Sequence, residues 1–380
     1  MSVITRREFV ISSLLLPALA RLQSPAGAHL VRTVPFLAAS ASRAPLNQLL
    51  GSGLDARLFT DLSPLSADAL VTPADRFFVR TAAPPSLPPP AAWTVSLGGL
   101  VREPVDLTLD ALQRLSRPAG RWLIECAGNA DRANYGLMSV AEWEGAPLPA
   151  ILERAQPSAS THRVLVSGVD YESAAPASRT SLPGASWIFS RDDLRGAILA
   201  LRMNGAPLPP HHGAPVRLVV PNWYGCACIK WVNRIELVAD DAAATGQMRE
   251  YAARTHQPGG GPPARARDYT PAVVDAAAMP VRVEQWIRDG EAFYRVVGIV
   301  WGGTKPTNAL AIRFKSTEPW VPVESCPMPE NTLAWSVWTH TWRPKERGKY
   351  EIVLKVTDPT IRARRLDLFY YIREIQIEEV

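Results

Sequence analysis

The chain has 380 residues and a formal net charge of +5, with 41 lysines and arginines against 36 acidic residues. This charge is small and spread out, and the sequence has no arginine-rich helical pattern or aromatic-basic repeat, so nothing points to nucleic acid as a partner. Hydrophobic residues make up 47% and charged residues 20%, which is ordinary for a soluble protein long enough for two domains. The 35 prolines favour strands and irregular segments over long helices.

The first residues have the pattern of an export signal. Paired arginines precede Phe9 by two residues, and an apolar run over 10–20 leads to small-x-small cleavage sites at 18–20 and 26–28. The apolar run is too short to span a bilayer. We expect 1–28 to be a twin-arginine signal peptide that sends a folded, cofactor-loaded protein to the periplasm, with no membrane span in the mature form. An amphipathic N-terminal helix is the alternative.

Strands and short helices alternate irregularly through the first large domain, 45–254. A helix is predicted to begin near Thr108, and 139–143 is predicted to be a capped turn that enters a short helix. Buried strands are predicted at 163–168, 199–203, 218–221 and 230–237. Because no regular βαβ period appears, the pattern indicates an α+β domain with a mixed sheet.

The stretch 121–129 is predicted to be a strand that ends at Cys126 and turns at Gly128 and Asn129. Glycine lets another group approach the backbone closely, and asparagine tolerates unusual turn dihedrals. A thiol at such a turn is well placed to bind a soft metal, although a free cysteine is more often a small buried hydrophobe.

The other three cysteines have no evident chemistry. Four cysteines are too few for a disulfide scaffold. On a strand, Cys226 and Cys228 would point to the same face, and no His/Cys pair lies nearby at zinc spacing, so structural roles are the simpler interpretation. No Cys-x-x-Cys-His run occurs, so no covalently attached c-type haem is encoded here.

Several basic side chains stand at strand ends and on loops beside glycine and proline. Each alone is explained by solvation or ion pairing, but together they suit a phosphate. They are Arg80, His212, Arg217 and Lys230. The sequence has no Walker loop or Gly-x-Gly-x-x-Gly run, so a nucleotide-binding fold is not supported.

The composition changes after the first domain. The Gly- and Pro-rich stretch 255–272 is predicted to be a linker. Short alternating strands then recur through 273–380, with turn signals between them, which indicates a β-sandwich of about a hundred residues.

These motifs, in this order and spacing, resemble the sulfite oxidase family of molybdopterin enzymes over nearly the whole mature chain. The resemblance is carried by 77–80, 125–129, 141–148, 203–209, 212–221 and 229–231. It implies an α+β, mixed-sheet molybdopterin-binding domain over 45–254, followed by an immunoglobulin-like dimerisation domain over 273–380.

The resemblance also implies roles for particular residues. Cys126 would be the one covalent protein ligand of molybdenum. The pterin and its terminal phosphate would be held by Asp170, His212, Arg217 and Lys230. Arg80 would lie over the substrate pocket. Tyr251 would stand beside the metal's oxo group, with a surface aromatic as the alternative.

The sequence departs from the family pattern after Asn129. Animal sulfite oxidases have two arginines there, the second of which binds the substrate anion, whereas this chain has Ala130 and Asp131. Arg132 follows, and either it substitutes or the pocket accepts a different substrate. The family's histidine two residues after Arg80 is also absent, because Ala82 stands in its place.

The function that the resemblance implies is the oxidation of sulfite, or of a related small sulfur oxyanion, to sulfate by a molybdenum-molybdopterin cofactor. The resemblance also implies a homodimer. No cytochrome b5-like domain precedes the chain, so we expect a separate c-type cytochrome to accept the electrons. Two alternatives stay open. One is the reduction of a sulfoxide or similar oxo compound, and the other is a non-catalytic binding or assembly protein on the same fold.

Overall fold

The computed structural model describes residues 25–37, 44–81, 86–130, 135–159, 161–169, 185–257, 259 and 261–380. Most of the predicted signal peptide lies outside these ranges, as do the predicted site residues Arg132 and Asp170. Within the described ranges, every helix is too short or too polar to traverse a lipid bilayer.

Strands dominate the described chain. They are β1 His29–Val34, β2 Leu50–Ser52, β3 Asp55–Leu58, β4 Val79–Arg80, β5 Thr94–Gly99, β6 Val105–Thr108, β7 Arg117–Glu125, β8 Met138–Pro147, β9 Arg163–Gly168, β10 Ser186–Ser190, β11 Ile198–Met203, β12 Ala206–Pro207, β13 Arg217–Val219, β14 Val232–Val238, β15 Ala277–Arg288, β16 Glu291–Trp301, β17 Leu310–Arg313, β18 Val321–Pro322, β19 Ser336–Trp342, β20 Gly348–Val356 and β21 Arg373–Ile377.

The helices are few and short. The α-helices are α1 Leu109–Leu115, α2 Leu148–Arg154 and α3 Gly246–Tyr251. Single 3₁₀ turns are formed by Pro90–Ala92, Asp192–Leu194, Pro210–His212, Ala252–Arg254 and Ala266–Asp268.

Three sheets build the first domain. One has the order β10-β9-β14-β5-β6, and its β14 and β5 run parallel while its other neighbours are antiparallel. The second has the order β12-β11-β8-β7, with β13 also paired to β11, and the third is β2-β3-β4. The predicted α+β class with a mixed sheet is therefore confirmed.

Two four-stranded sheets form the predicted β-sandwich, with the orders β1-β15-β16-β19 and β18-β17-β20-β21. Its outermost strand β1 comes from the beginning of the described chain and runs antiparallel to β15, where Val34 faces Val283. The sequence pattern of the second domain does not reveal this contribution, because the two paired strands are far apart in sequence.

The short helix predicted at 139–143 is wrong, because these residues belong to β8. Strand β8 is hydrogen-bonded on both sides, to β7 and to β11, and this pairing outweighs the local capping pattern. The Ser139 hydroxyl caps no helix; it accepts a hydrogen bond from the Phe78 backbone N–H at 3.0 Å.

A buried ion pair joins the end of β7 to the sandwich. Glu125 is 1% exposed and accepts hydrogen bonds from both terminal nitrogens of Arg364, each at 2.7 Å. The Trp301 indole and the Tyr135 hydroxyl also donate to this carboxylate, each at 2.8 Å. Burial alone would lower the pKa of Arg364, but Glu125 raises it well above its ordinary value. The residue immediately before Cys126 is thereby fixed from three directions.

We expect Arg364→Ala to lower the free energy of unfolding by about 3–5 kcal/mol, because it leaves a buried carboxylate without its counter-charge. Arg365→Ala is the matched control, since Arg365 pairs with Asp367 at the exposed surface and its loss costs about 0.5 kcal/mol or less. Urea unfolding of both variants measures the difference. Equal midpoints for the two variants would show that the buried pair contributes little.

Candidate functional site

Cys126 lies at the turn that ends β7. Its backbone N–H donates to the Leu137 carbonyl at 2.9 Å, which extends the pairing of β7 with β8 by one residue. The Asn129 N–H donates to the Cys126 carbonyl at 2.9 Å and closes a tight turn. Within that turn the Gly128 N–H lies 3.4 Å from the Cys126 Sγ. The thiol is therefore held in a defined position.

The buried Asn129 side chain ties the two ends of the following loop together. Its Oδ1 accepts from the Leu137 N–H at 3.2 Å, and its Nδ2 donates to the Tyr135 carbonyl at 3.5 Å. Asparagine suits this position because a single amide offers both an acceptor and donors.

One cleft collects most of the predicted site. Its lining includes five predicted site residues: Arg80, Cys126, Arg217, Lys230 and Tyr251. The empty volume is about 780 Å³, including the opening to solvent, which is the size of an ordinary cofactor pocket. Aromatic walls come from Phe77, Phe78 and Trp231.

His212 lies behind this cleft. Its ring packs edge-on against Phe77, with 5.2 Å between the ring centroids, and its Nε2 is 3.0 Å from the Ala74 carbonyl oxygen. Burial lowers the pKa of His212 to about 3, and Lys230 and Arg217 act in the same direction. The imidazole is therefore neutral at neutral pH.

Arg217 and Lys230 are positioned by the chain around His212. The Arg217 guanidinium donates to the carbonyls of His212 at 3.1 Å and Cys228 at 3.2 Å, and the Lys230 ammonium donates to the His211 carbonyl at 2.6 Å. Burial lowers the pKa of Arg217 to about 10, so it stays charged at neutral pH. The cluster therefore carries two cations.

Gly213 allows this cluster to form. Its φ of 102° lies in the left-handed region, which glycine adopts freely. A Cβ at this position would lie 3.0 Å from the Cβ of Arg217 and 3.1 Å from that of Lys230. A larger residue would force the two basic side chains apart.

Three buried polar atoms of the cluster and its surroundings find no hydrogen-bond partner within the described residues: Thr81 Oγ1, His212 Nδ1 and Arg217 Nε. Such groups cost about 1–3 kcal/mol each when left unpaired. Thr81 and Arg217 line the cleft, so a ligand with acceptor oxygens would pair them. Two cations, unpaired polar atoms and a soft thiol on one cleft fit a molybdenum-bearing cofactor with a terminal phosphate.

Arg80 and Tyr251 reach the cleft from separate elements. Arg80 ends the short strand β4, and its Nη1 lies 3.9 Å from the Cys126 Sγ. Tyr251 is the last residue of α3, whose N-terminus is capped by the Thr245 hydroxyl. Burial raises the pKa of Tyr251 to about 12, and the Cys126 and Cys226 thiols act in the same direction. The phenol therefore stays protonated at neutral pH.

Sequence reasoning missed three polar groups around Cys126. The first is Thr81, which follows Arg80 directly. The second is Glu125, an acidic residue at the end of an apolar strand, and this position in the sequence could have indicated a buried, paired carboxylate. Arg254 is the third: a Cβ on Gly128 would lie 3.0 Å from its Nη1. No motif or spacing in the sequence connects Arg254 to Gly128, because only the fold brings them together.

Comparison with known proteins defines the class. Residues 82–245 match the family described as oxidoreductase molybdopterin binding domain. Rat mitochondrial sulfite oxidase is 25% identical over 77% of this chain and 57% of its own length. The human enzyme is 30% identical over 49% of this chain and 36% of its own length. Spinach NADH nitrate reductase is 33% identical over 46% of this chain and 20% of its own length.

The fold matches the crystal structure of the sulfane dehydrogenase SoxCD from Paracoccus pantotrophus. The TM-score is 0.60 at 18% identity, over 98% of this chain and 96% of that chain. These matches support the sulfite oxidase family of molybdenum-dependent oxidoreductases for this chain, with molybdenum-molybdopterin as the cofactor. It spans 57% of the rat relative's length and 36% of the human one's.

His212 makes stability depend on pH in a defined direction. Its pKa in the folded chain is about 3, against an ordinary value of 6.5. As pH falls below 6.5 the unfolded chain gains a proton that the folded chain does not, so stability is lost, by about 2 kcal/mol at pH 5. We expect His212→Gln to remove this loss and flatten the pH dependence of the unfolding midpoint between pH 7 and 5. An unchanged slope would show that folding does not lower the pKa of His212.

Proposed function

We propose that this protein is a periplasmic molybdenum oxidoreductase that oxidises sulfite, or a related sulfur oxyanion, to sulfate and passes the electrons to a c-type cytochrome. The observation that carries this proposal is the cleft that joins the Cys126 thiol to Arg80, Arg217, Lys230 and Tyr251. Similarity to the sulfite oxidase family supports the reaction class, and the twin-arginine pattern at the N-terminus supports the location.

In this proposal the chain holds the cofactor at two places. Cys126 is the protein ligand of molybdenum, since a thiolate is a soft donor at a fixed turn. The phosphate end is held by the cationic pair Arg217 and Lys230, with the neutral His212 behind them. Asp170, which lies outside the described residues, would bind the pterin.

When bound, the cofactor would supply oxygen transfer to sulfur and take up the two electrons, in a net reaction that consumes one water and releases two protons. The chain's own contribution is to bind and orient the anion. Arg80 neutralises the negative charge of the substrate beside Cys126, and Arg132, which lies outside the described residues, is a second possible cation. The Tyr251 phenol donates a hydrogen bond to a reacting oxygen, because it stays protonated. Phe77 and other aromatic walls lower the local dielectric, which strengthens both interactions.

We further propose that the protein is a homodimer and that its β-sandwich is the immunoglobulin-like dimerisation domain that the resemblance implies. Support comes from the two four-stranded sheets, whose strands lie between Ala277 and Ile377 except for β1. Sedimentation equilibrium of the purified protein tests this assembly.

Oxygen transfer in the opposite direction is the second candidate. The similarity to spinach nitrate reductase, whose name gives a reductive reaction, favours reduction. Ala130 in place of an arginine favours a neutral sulfoxide as the substrate, since such a substrate needs fewer cations. A reduced viologen dye with a sulfoxide or nitrate as oxidant tests it. Dye oxidation together with no oxidation of sulfite would favour the reductase.

Cys126→Ser is expected to reduce sulfite-dependent reduction of cytochrome c to background, because it replaces the soft ligand of the metal. Cys226→Ser is the matched control, since Cys226 lines the same cleft and has no assigned role; it should keep most of the activity. Persistent turnover in Cys126→Ser would mean that the ligand is misassigned. Wild-type protein without molybdenum, made in a host that synthesises the cofactor, would favour a binding or assembly protein.

Tyr251→Phe is expected to lower kcat about tenfold to a hundredfold, because it removes one hydrogen-bond donor from the reacting oxygen. Since the pKa of Tyr251 is about 12, its phenol should cause no loss of wild-type turnover as pH rises to about 10. The pH profile of kcat measures this in both proteins. A wild-type decline near pH 9 that disappears in Tyr251→Phe would contradict a protonated Tyr251.

A further inference from the structure

Gly128 lies between two guanidinium groups from different parts of the chain. A Cβ built on Gly128 would lie 2.8 Å from Arg80 Nη1 and 3.0 Å from Arg254 Nη1. Both guanidinium groups therefore approach the same point, two residues after Cys126. The absence of a side chain at Gly128 is what makes room for them.

Arg254 is placed beside Tyr251 by the 3₁₀ turn Ala252–Arg254 that follows α3. Its Cζ lies 5.8 Å from the centre of the Tyr251 ring, and its charge acts to lower the pKa of that phenol. No carboxylate of a described residue lies within ion-pair distance of Arg254. An exposed arginine that converges with a second arginine is suited to bind an anion between them.

A second cleft gives an anion access to this point. Its lining includes Cys126, Gly128 and Arg254, and its empty volume is about 1120 Å³ including the opening to solvent. Cys126 lines this cleft and also the first one, which carries Arg217 and Lys230. The two clefts therefore meet at the thiol, and Arg80 lines the first cleft while Arg254 lines the second.

We propose that Arg254 is a substrate-binding residue that, with Arg80, holds the oxyanion beside Cys126. It supplies from the turn after α3 the positive charge that the family places after Asn129, where this chain has Ala130 and Asp131. This inference rests on the proposed function, because it assigns the anion of that reaction. It makes Arg254 a determinant of affinity for the anion, with no part in holding the cofactor.

The test compares Arg254→Gln and Arg254→Lys with Arg249→Gln in the molybdenum-loaded protein. Arg249 is an exposed arginine on α3 and lines neither cleft, so it controls for the loss of one charge. We expect Arg254→Gln to raise KM for sulfite at least about tenfold and to change kcat by less than about threefold. Arg254→Lys should recover part of the affinity, and Arg249→Gln should match the wild type.

Sulfate binding tests the assignment of Arg254 independently of turnover. The upward shift of the unfolding temperature with added sulfate should be present in wild type and Arg249→Gln and strongly reduced in Arg254→Gln, at unchanged molybdenum content. If wild type does not oxidise sulfite, this measurement still tests Arg254, so the two proposals fail separately. The assignment is overturned if Arg254→Gln binds sulfate within about twofold of wild type, or if Arg132→Gln loses sulfate binding while Arg254→Gln keeps it.

Discussion

The buried carboxylate of Glu125 is the interaction on which the site depends. It sits at the last residue of β7, one position before Cys126, and both of its oxygens are occupied by Arg364. Because Arg364 and Trp301 come from the sandwich side of the chain, the position of the thiol is set by both halves of the molecule. A buried carboxylate with four donors has little freedom to move, so the turn that follows it starts from a fixed point.

Beyond that point the site is an arrangement of positive charge around one soft donor. Arg217 is buried and held by backbone carbonyls, so its orientation is fixed before any ligand binds. The neutral His212 beside it adds no further repulsion. Arg80 from the first cleft and Arg254 from the second converge over Gly128. The thiol thus lies where two clefts meet, with Arg80, Arg217 and Lys230 on the first and Arg254 on the second.

Much of the fold and part of the site could be predicted from the sequence, because they depend on local motifs. The turn at Cys126, the mixed sheet and the sandwich follow from residue types and periodicity, and Thr108 does precede α1. The interpretation of 139–143 failed because pairing on both sides of β8 outweighs a local capping pattern. The contacts Glu125–Arg364 and Gly128–Arg254 could not be predicted from the sequence, because each joins residues that are far apart along the chain. Periodicity reports local structure and gives no information on such contacts. The pairing of the edge strand β1 with β15 could not be predicted for the same reason.

X-ray absorption at the molybdenum edge, on wild-type protein and on Cys126→Ser, tests the central claim most directly. The account predicts that the substitution removes one sulfur from the coordination shell of the metal and leaves an oxygen, or no protein donor, in its place. The same number of sulfur neighbours in both proteins would mean that Cys126 does not bind molybdenum, and the assignment of the two clefts would lose its basis.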